Sequence, residues 1–304
     1  MSQAPSPFLP PSPAMGRAPL GGNAIAVASM ITWSAAFPAA EILLETWNPT
    51  ALITARLVLV GLFTLPLWLV VDGAQAVRAA RWLPGLAIGG LGFGLGAWLL
   101  LVAQALTDPV TVAIIASACP VAAVICEMIW ERRRLTRGFA LGLGATVVGG
   151  LIATGGGGVA LGLGALAAVT SCFLFSWGSL QTVRALPMLS PLGRTALTMT
   201  GGALVMLMVL FLGEKAGYDL VPQHAILASE WGLLAIYALI GMALSQALWL
   251  AAVGRLGVAL AAFHINIAPF YVMILMLALG GGWDWQAAFG ASIVALGVVL
   301  AQRQ

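Results

Sequence analysis

The sequence predicts an all-α polytopic membrane protein: ten transmembrane helices as two inverted five-helix repeats, with both termini cytoplasmic. Three observations predict it. The 304-residue chain is 61% hydrophobic and 8% charged, with a mean hydropathy of +1.04, whereas a soluble domain carries about 25% charged residues. Windows of roughly 20 apolar residues, long enough to cross a bilayer, recur along it. Of its thirteen Lys and Arg residues, all but Arg56 and Lys215 fall at the termini or in every second gap between those windows. Short cytoplasmic loops collect Lys and Arg, so the alternation sets the orientation.

Taken in order, residues 1–21 are rich in Pro and Ser and carry Arg17. They lack the charged and apolar regions of a cleaved signal and read as a disordered cytoplasmic tail. The spans follow at 22–44, 50–71, 82–106, 110–130 and 136–154, then at 159–182, 191–213, 231–253, 257–279 and 285–301. Gly and Pro inside them are tolerated, because neighbouring helices re-satisfy the freed backbone groups. Arg78 and Arg81 occupy the second connection, and Arg132, Arg133, Arg134 and Arg137 the fourth. Arg184 and Arg194 occupy the sixth, Arg255 the eighth, and Arg303 the C-terminus. The odd connections hold Glu45, Asp108, Glu214, Asp219, Glu230 and Asp284. Dropping one span would scramble the pattern, so the charges require an even number.

The halves repeat each other. Aligning Pro120 with Pro269 sets two small-residue-rich helices together, each with a proline near its middle and a Gly-rich last helix beyond it. Trp33-Ser34 corresponds loosely to Ser176-Trp177, and each is followed by a span that opens on a proline, Pro49 or Pro191. Five spans per half is odd, so 22–155 and 156–304 enter the membrane from opposite sides. Inverted repeats place a substrate site near the midplane between the halves.

Several function classes are excluded. The net charge of +3 is scattered over short loops and forms no nucleic-acid-binding face. Cys119, Cys126 and Cys172 have no zinc-site spacing and read as free buried thiols. The glycines at 155–158 lack the Lys-Ser/Thr ending of a phosphate loop. No cofactor, metal or ATPase subunit is implied.

A charge at the bilayer centre costs at least about 2.5–3.5 kcal/mol, so ionisable residues within spans need a reason. Arg56, seven residues after Pro49, reads either as a gate cation for a substrate carboxylate or as a side chain that snorkels outward or ties helix ends together through carbonyls. Glu41 shares a helical face with Trp33 and Phe37; it stands either at a cavity mouth or at the outer interface. Glu127 lies beside Arg132 and Arg133 and is expected to pair with them. His264, the one histidine within a span, either meets a ligand or packs; it shares a face with Tyr271, with Asn266 on the other side unless Pro269 breaks the helix. Trp47, Trp82, Trp130, Trp231, Trp283 and Trp285 lie at span ends and fit an interfacial belt. The substrate-binding candidates are therefore the interior Trp33, Trp98, Trp177 and Trp249 with Ser34, Phe37, Gln181, Ser245, His264 and Tyr271. Gln246 lies in the same arc of span 8 as Ser245 and Trp249. Glu41 and Arg56 are the gating or charge candidates, and Pro38, Pro120 and Pro269 the helix bends. Gly85-x-x-x-Gly89 and Gly138-x-x-x-Gly142 allow close helix approach.

Together these features resemble the EamA-type ten-helix permeases of the drug/metabolite transporter superfamily. Trp33-Ser34 with Pro38, Arg56 after Pro49, Pro120, Glu131 and then Gly138, Gly142 and Gly144 carry the resemblance, repeated around Pro269 and covering roughly residues 22–301. That family often has an acid after the ninth span; Gly280 stands there, with Asp284 nearby. The Pro-rich tail and small-residue content look similar to bacterial exporters of amino acids, aromatic ones among them. The resemblance implies a secondary transporter, not an enzyme, in the plasma (bacterial inner) membrane, exporting small organic metabolites by alternating access. Its partners would be a small-molecule substrate and membrane lipid, with Glu41 and His264 as the candidate proton carriers. The alternatives are a transporter of nucleosides, drugs or sugars, a membrane enzyme on lipid-like substrates, which needs clustered His, Asp or Glu, and a channel, which needs a polar pore ring.

Overall fold

The computed structural model describes residues 20–116, 119–131 and 159–302, with positions 141, 144, 145, 148 and 152 between them. Arg17, the arginines at 132–137, most of the fifth predicted span with Gly138 and Gly142, the glycines at 155–158 and Arg303 lie outside the described residues. The described residues are helical with short connections and contain no strand. We label the helices α1 (Gly21–Leu44), α2 (Pro49–Ala79), α3 (Trp82–Leu106), α4 (Pro109–Ala116 and Cys119–Glu131), α5 (Val159–Ala185), α6 (Pro191–Lys215), α7 (Ala228–Leu256), α8 (258–278) and α9 (Trp285–Gln302). Among the described residues, α1 to α7 are long and apolar enough to cross a membrane.

Local chemistry explains where these helices start and bend. α2 begins at Asn48, whose side chain accepts from the Thr50 N–H at 2.8 Å, with Pro49 next. α6 begins at Ser190, which accepts from the Gly193 N–H at 3.0 Å, with Pro191 next. A capping oxygen followed by a proline that lacks the first orphan donor is a strong start signal. α1 breaks at Ala35, between the stretches Leu20–Ser34 and Ala36–Leu44. Pro38 lies just beyond, and its ring crowds the carbonyl four residues back. In α8 a 3-10 turn, Phe263–Ile267, runs directly into Pro269 for the same reason. α2 continues past its predicted end to Ala79 by kinking at Gly73, where φ is 85°. α3 and α7 each contain a π-helical stretch, Gly89–Leu95 and Ile236–Leu244.

The halves interlock. α3 packs on α5 and α6, and α7 packs on α1 and α2, so the third helix of each half lies against the first two of the other. The largest apolar cluster joins Leu43, Leu52, Leu57 and Val60 to Met199, Met206, Leu234 and Tyr237. Lipid supplies no hydrophobic drive for helix association, so close backbone approach through small residues carries the packing. A methyl on Gly89 would run into the Thr198 carbonyl, and one on Gly201 into the Leu86 carbonyl. Gly92 faces Gly178, and Gly241 faces Ala36.

Candidate functional site

These crossings leave a cavity between the halves. Its walls come from α1 to α8 and are mostly apolar or small, as the walls of small-molecule sites are. A second, smaller space adjoins it and shares Trp33, Arg56, Ala97 and Leu100 with its lining.

The lining is two-fold. Pro49 and Pro191 open equivalent helices, and Pro120 and Pro269 sit in equivalent ones. Carried along at constant spacing, the first register sets Ser29 on Ser171, Met30 on Cys172 and Trp33 on Phe175. The second sets Phe93 on Met242, Gly96 on Ser245, Ala97 on Gln246, Leu100 on Trp249 and Ala116 on Ile265. Every one of these residues lines the cavity. The hydrogen bonds repeat as well: Ser29 Oγ donates to the Ser245 carbonyl at 2.8 Å, and Ser171 Oγ to the Gly96 carbonyl at 2.7 Å. In this register Trp33 corresponds to Phe175, which replaces the looser pairing of Trp33-Ser34 with Ser176-Trp177.

The symmetry fails at Arg56, whose counterpart is Thr198. Thr198 turns its hydroxyl back to the Arg194 carbonyl at 2.7 Å and lets Gly89 approach its backbone. Arg56 is 5% exposed and reaches across to α7 instead. Its Nε donates to the Tyr237 carbonyl at 2.9 Å and its Nη2 to the Gly241 carbonyl at 2.8 Å, with the guanidinium 3.7 Å over the Tyr237 ring. Both carbonyls belong to the π-helical stretch; such irregular turns accompany functional sites in helices. Among the described residues no carboxylate pairs with Arg56. Arg56 therefore ties helices through carbonyls, as one of its expected readings has it, and it also lines the cavity.

The second space lies on this Arg56 side, bounded also by Ala36, Phe37, Leu101, Gln104 and Tyr237. Gln104 Nε2 donates to the Phe37 carbonyl at 2.9 Å and to Glu41 at 3.2 Å, which places Glu41 beside that space. The equivalent positions in the other half make different contacts. Gly178 abuts Gly92, Phe175 meets Phe93 edge-on and lies tilted against Trp249 with centroids 5.7 and 5.3 Å apart, and Trp249 Nε1 donates to Ser179 Oγ at 2.9 Å.

Of the residues expected from sequence, the structure brings Trp33, Arg56, Ser245 and Trp249 together in the main cavity, and Phe37 in the adjoining space. Ser34 is fully buried and donates to the Met30 carbonyl at 2.8 Å. Trp98 donates to Thr50 Oγ1 at 3.1 Å and packs between helices. Trp177 and Tyr271 pack against the apolar cluster around Leu250, while Gln181 is half-buried on α5. His264 Nδ1 lies 3.2 Å from the Ala261 carbonyl, a local contact within its own turn. None of these six is in the cavity wall. Glu127 accepts from the Ala259 N–H at 3.1 Å, and its expected partners Arg132 and Arg133 lie outside the described residues. Trp47 leaves the expected interfacial belt: it is 6% exposed and donates to Glu230 at 2.8 Å. Most of the remaining wall, including Ser29, Phe93, Gly96, Ala97, Ser171 and Phe175, carries no single-residue signal. The repeat register anchored on Pro49 and Pro191 was the signal that could have found it.

Comparison with known proteins gives two positive results. The model of a family described as the EamA-like transporter family matches the chain twice, over residues 20–155 and 162–302. A solved crystal structure shares the fold with a TM-score of 0.70 at 16% sequence identity, covering 93% of this chain and 97% of that one. No curated protein sequence matches.

Proposed function

The chain belongs to the EamA-like transporter family of small-molecule membrane transporters, and from that premise we propose that it is a secondary transporter exporting small organic metabolites by alternating access through the central cavity. In this reading the chain crosses the plasma membrane ten times, with oppositely inserted halves dividing at about residue 155 and both termini cytoplasmic. The Arg distribution and the two family matches support that topology. The cargo is an amino acid or a similar amphipathic compound, aromatic ones among them, which the aromatic walls suit.

One observation carries the mechanism. The lining is two-fold, yet a space adjoins the cavity beside Arg56 while the equivalent Phe175, Trp249 and Ser179 are joined by a ring contact and a hydrogen bond. A repeat-related site whose two sides differ in packing is what an exchange between oppositely facing states requires.

The test is counterflow of labelled amino acids into proteoliposomes, with and without a pH gradient. Saturable uptake into preloaded vesicles is expected, and Trp33→Ala should cut it roughly tenfold at unchanged protein content, since a large half-buried aromatic leaves both spaces. No flux for any amino acid would sink the cargo assignment. Uptake indifferent to the gradient would remove Glu41 and His264 as proton carriers.

A further inference from the structure

We infer that the central cavity grips its cargo by a carboxylate held between Arg56 and Gln246, and that none of the described residues of its wall recognises an ammonium. The cargo is then an amphipathic organic acid, with or without an amine. This rests on the transport reading above and names the chemical class the cavity takes.

The argument starts from unmet donors. A guanidinium has five N–H groups and no acceptor. Arg56 spends one from Nε and one from Nη2 on carbonyls, which leaves three for the cavity it lines. It is 5% exposed, and its cationic charge meets only carbonyl dipoles and a ring face among the described residues. A buried cation without a counter-charge is a standing cost, and a planar carboxylate fits the free edge of its fork.

Gln246 is the second, independent observation. It is 6% exposed, lines the same cavity, and makes no hydrogen bond to a described residue; its Nε2 is buried without an acceptor. Its counterpart across the two-fold is Ala97, so the scaffold does not need an amide there. The terminal amide torsion is broad and two-fold, so a half-turn brings its N–H₂ to the cavity. A buried unmet donor costs stability until a ligand meets it.

The rest of the wall points the same way. No Asp or Glu is among the described residues that line the cavity. The hydroxyls of Ser29 and Ser171 spend their protons on carbonyls and offer a cargo no further donor, and the fixed charge of Arg56 repels an ammonium. Trp33, Phe175 and Trp249 leave an apolar slot for the body of the cargo.

The experiment compares four probes on one scaffold with the full-length purified protein: 3-phenylpropionate, phenylalanine, phenylethylamine and 3-phenylpropanamide. Binding is read by tryptophan fluorescence and thermal shift, and transport by counterflow. Both acids should bind within about threefold of each other, and the amine and amide at least about tenfold more weakly, as expected for hydrogen bonds to a charged group. Arg56→Lys should weaken the acids, but it also removes the ties to α7. Gln246→Leu decides, because it breaks no existing bond: acid affinity should fall about tenfold with the unliganded melting temperature unchanged or raised. Gln246→Glu should lose the acids altogether. Phenylalanine binding far more tightly than 3-phenylpropionate, the amide equalling the acid, neither acid binding, or Gln246→Leu leaving acid affinity intact would each overturn the assignment. Flux that ignores the carboxylate refutes this inference and leaves the transporter standing; no flux of any solute refutes the transporter.

Discussion

At the residue scale, the polar groups that matter are those whose partners lie on another helix. Glu230 is 8% exposed and gathers Thr46 Oγ1, Trp47 Nε1 and the Leu227 N–H at 3.1, 2.8 and 2.8 Å. His224 adds a contact at 3.1 Å, but its side chain is 39% exposed, and exposed ion pairs contribute little. The buried indole is the costly part, because stranding its N–H leaves an unmet donor. Glu230→Ala should lower the melting temperature in detergent, because it strands the Trp47 N–H, whereas His224→Ala should leave it close to that of the wild type. Equal effects of the two in thermal unfolding would disprove this ranking. Arg56 stood out in the sequence because a charge inside a span is expensive. Its partners did not, because they are backbone carbonyls, which every residue has.

At the element scale, helix starts were legible and helix interiors were not. Asn48-Pro49 and Ser190-Pro191 announce α2 and α6 through a cap and a missing donor. Pro38 and Pro269 mark bends for an equally local reason. The π-helical stretches in α3 and α7 have no such local marker. Gly89–Leu95 is rich in glycine while Ile236–Leu244 is not, so no shared composition points to both. What they share is a place, against the first two helices of the other half. Gly89→Ala drives a methyl into the Thr198 carbonyl, and overpacking of this kind costs about 1–3 kcal/mol. Gly232→Ala has open space around the new methyl and should be neutral or stabilising by up to about 1 kcal/mol. Melting temperatures that respond alike to both would show that the α3–α6 contact is not tight.

At the scale of the whole molecule, the two-fold relation makes a prediction about the side opposite Arg56. Trp249→Phe keeps the ring contact with Phe175 but deletes the hydrogen bond to Ser179 Oγ. If that bond holds this side together, a membrane-permeant maleimide should reach Cys119 and Cys172, which line the cavity, several-fold faster than in the wild type. Cys126, buried away from the cavity, serves as the internal control. Unchanged labelling of the first two would mean that side is held elsewhere.

By itself the sequence determined that this is a helical membrane protein built from two similar halves, where its helices begin, and which family it resembles. These properties follow from composition, period and local backbone chemistry, which a reader meets one residue after another. Only the tertiary structure decided the cavity wall, the different packing on its two sides and the presence of Arg56 and Gln246 in one lining. Nearly half of the wall is Ser, Gly, Ala and Cys residues that differ in no local property from those packing helix against helix. What separates them is which face turns inward, and that is settled by the crossing of α3 and α7 with the opposite half.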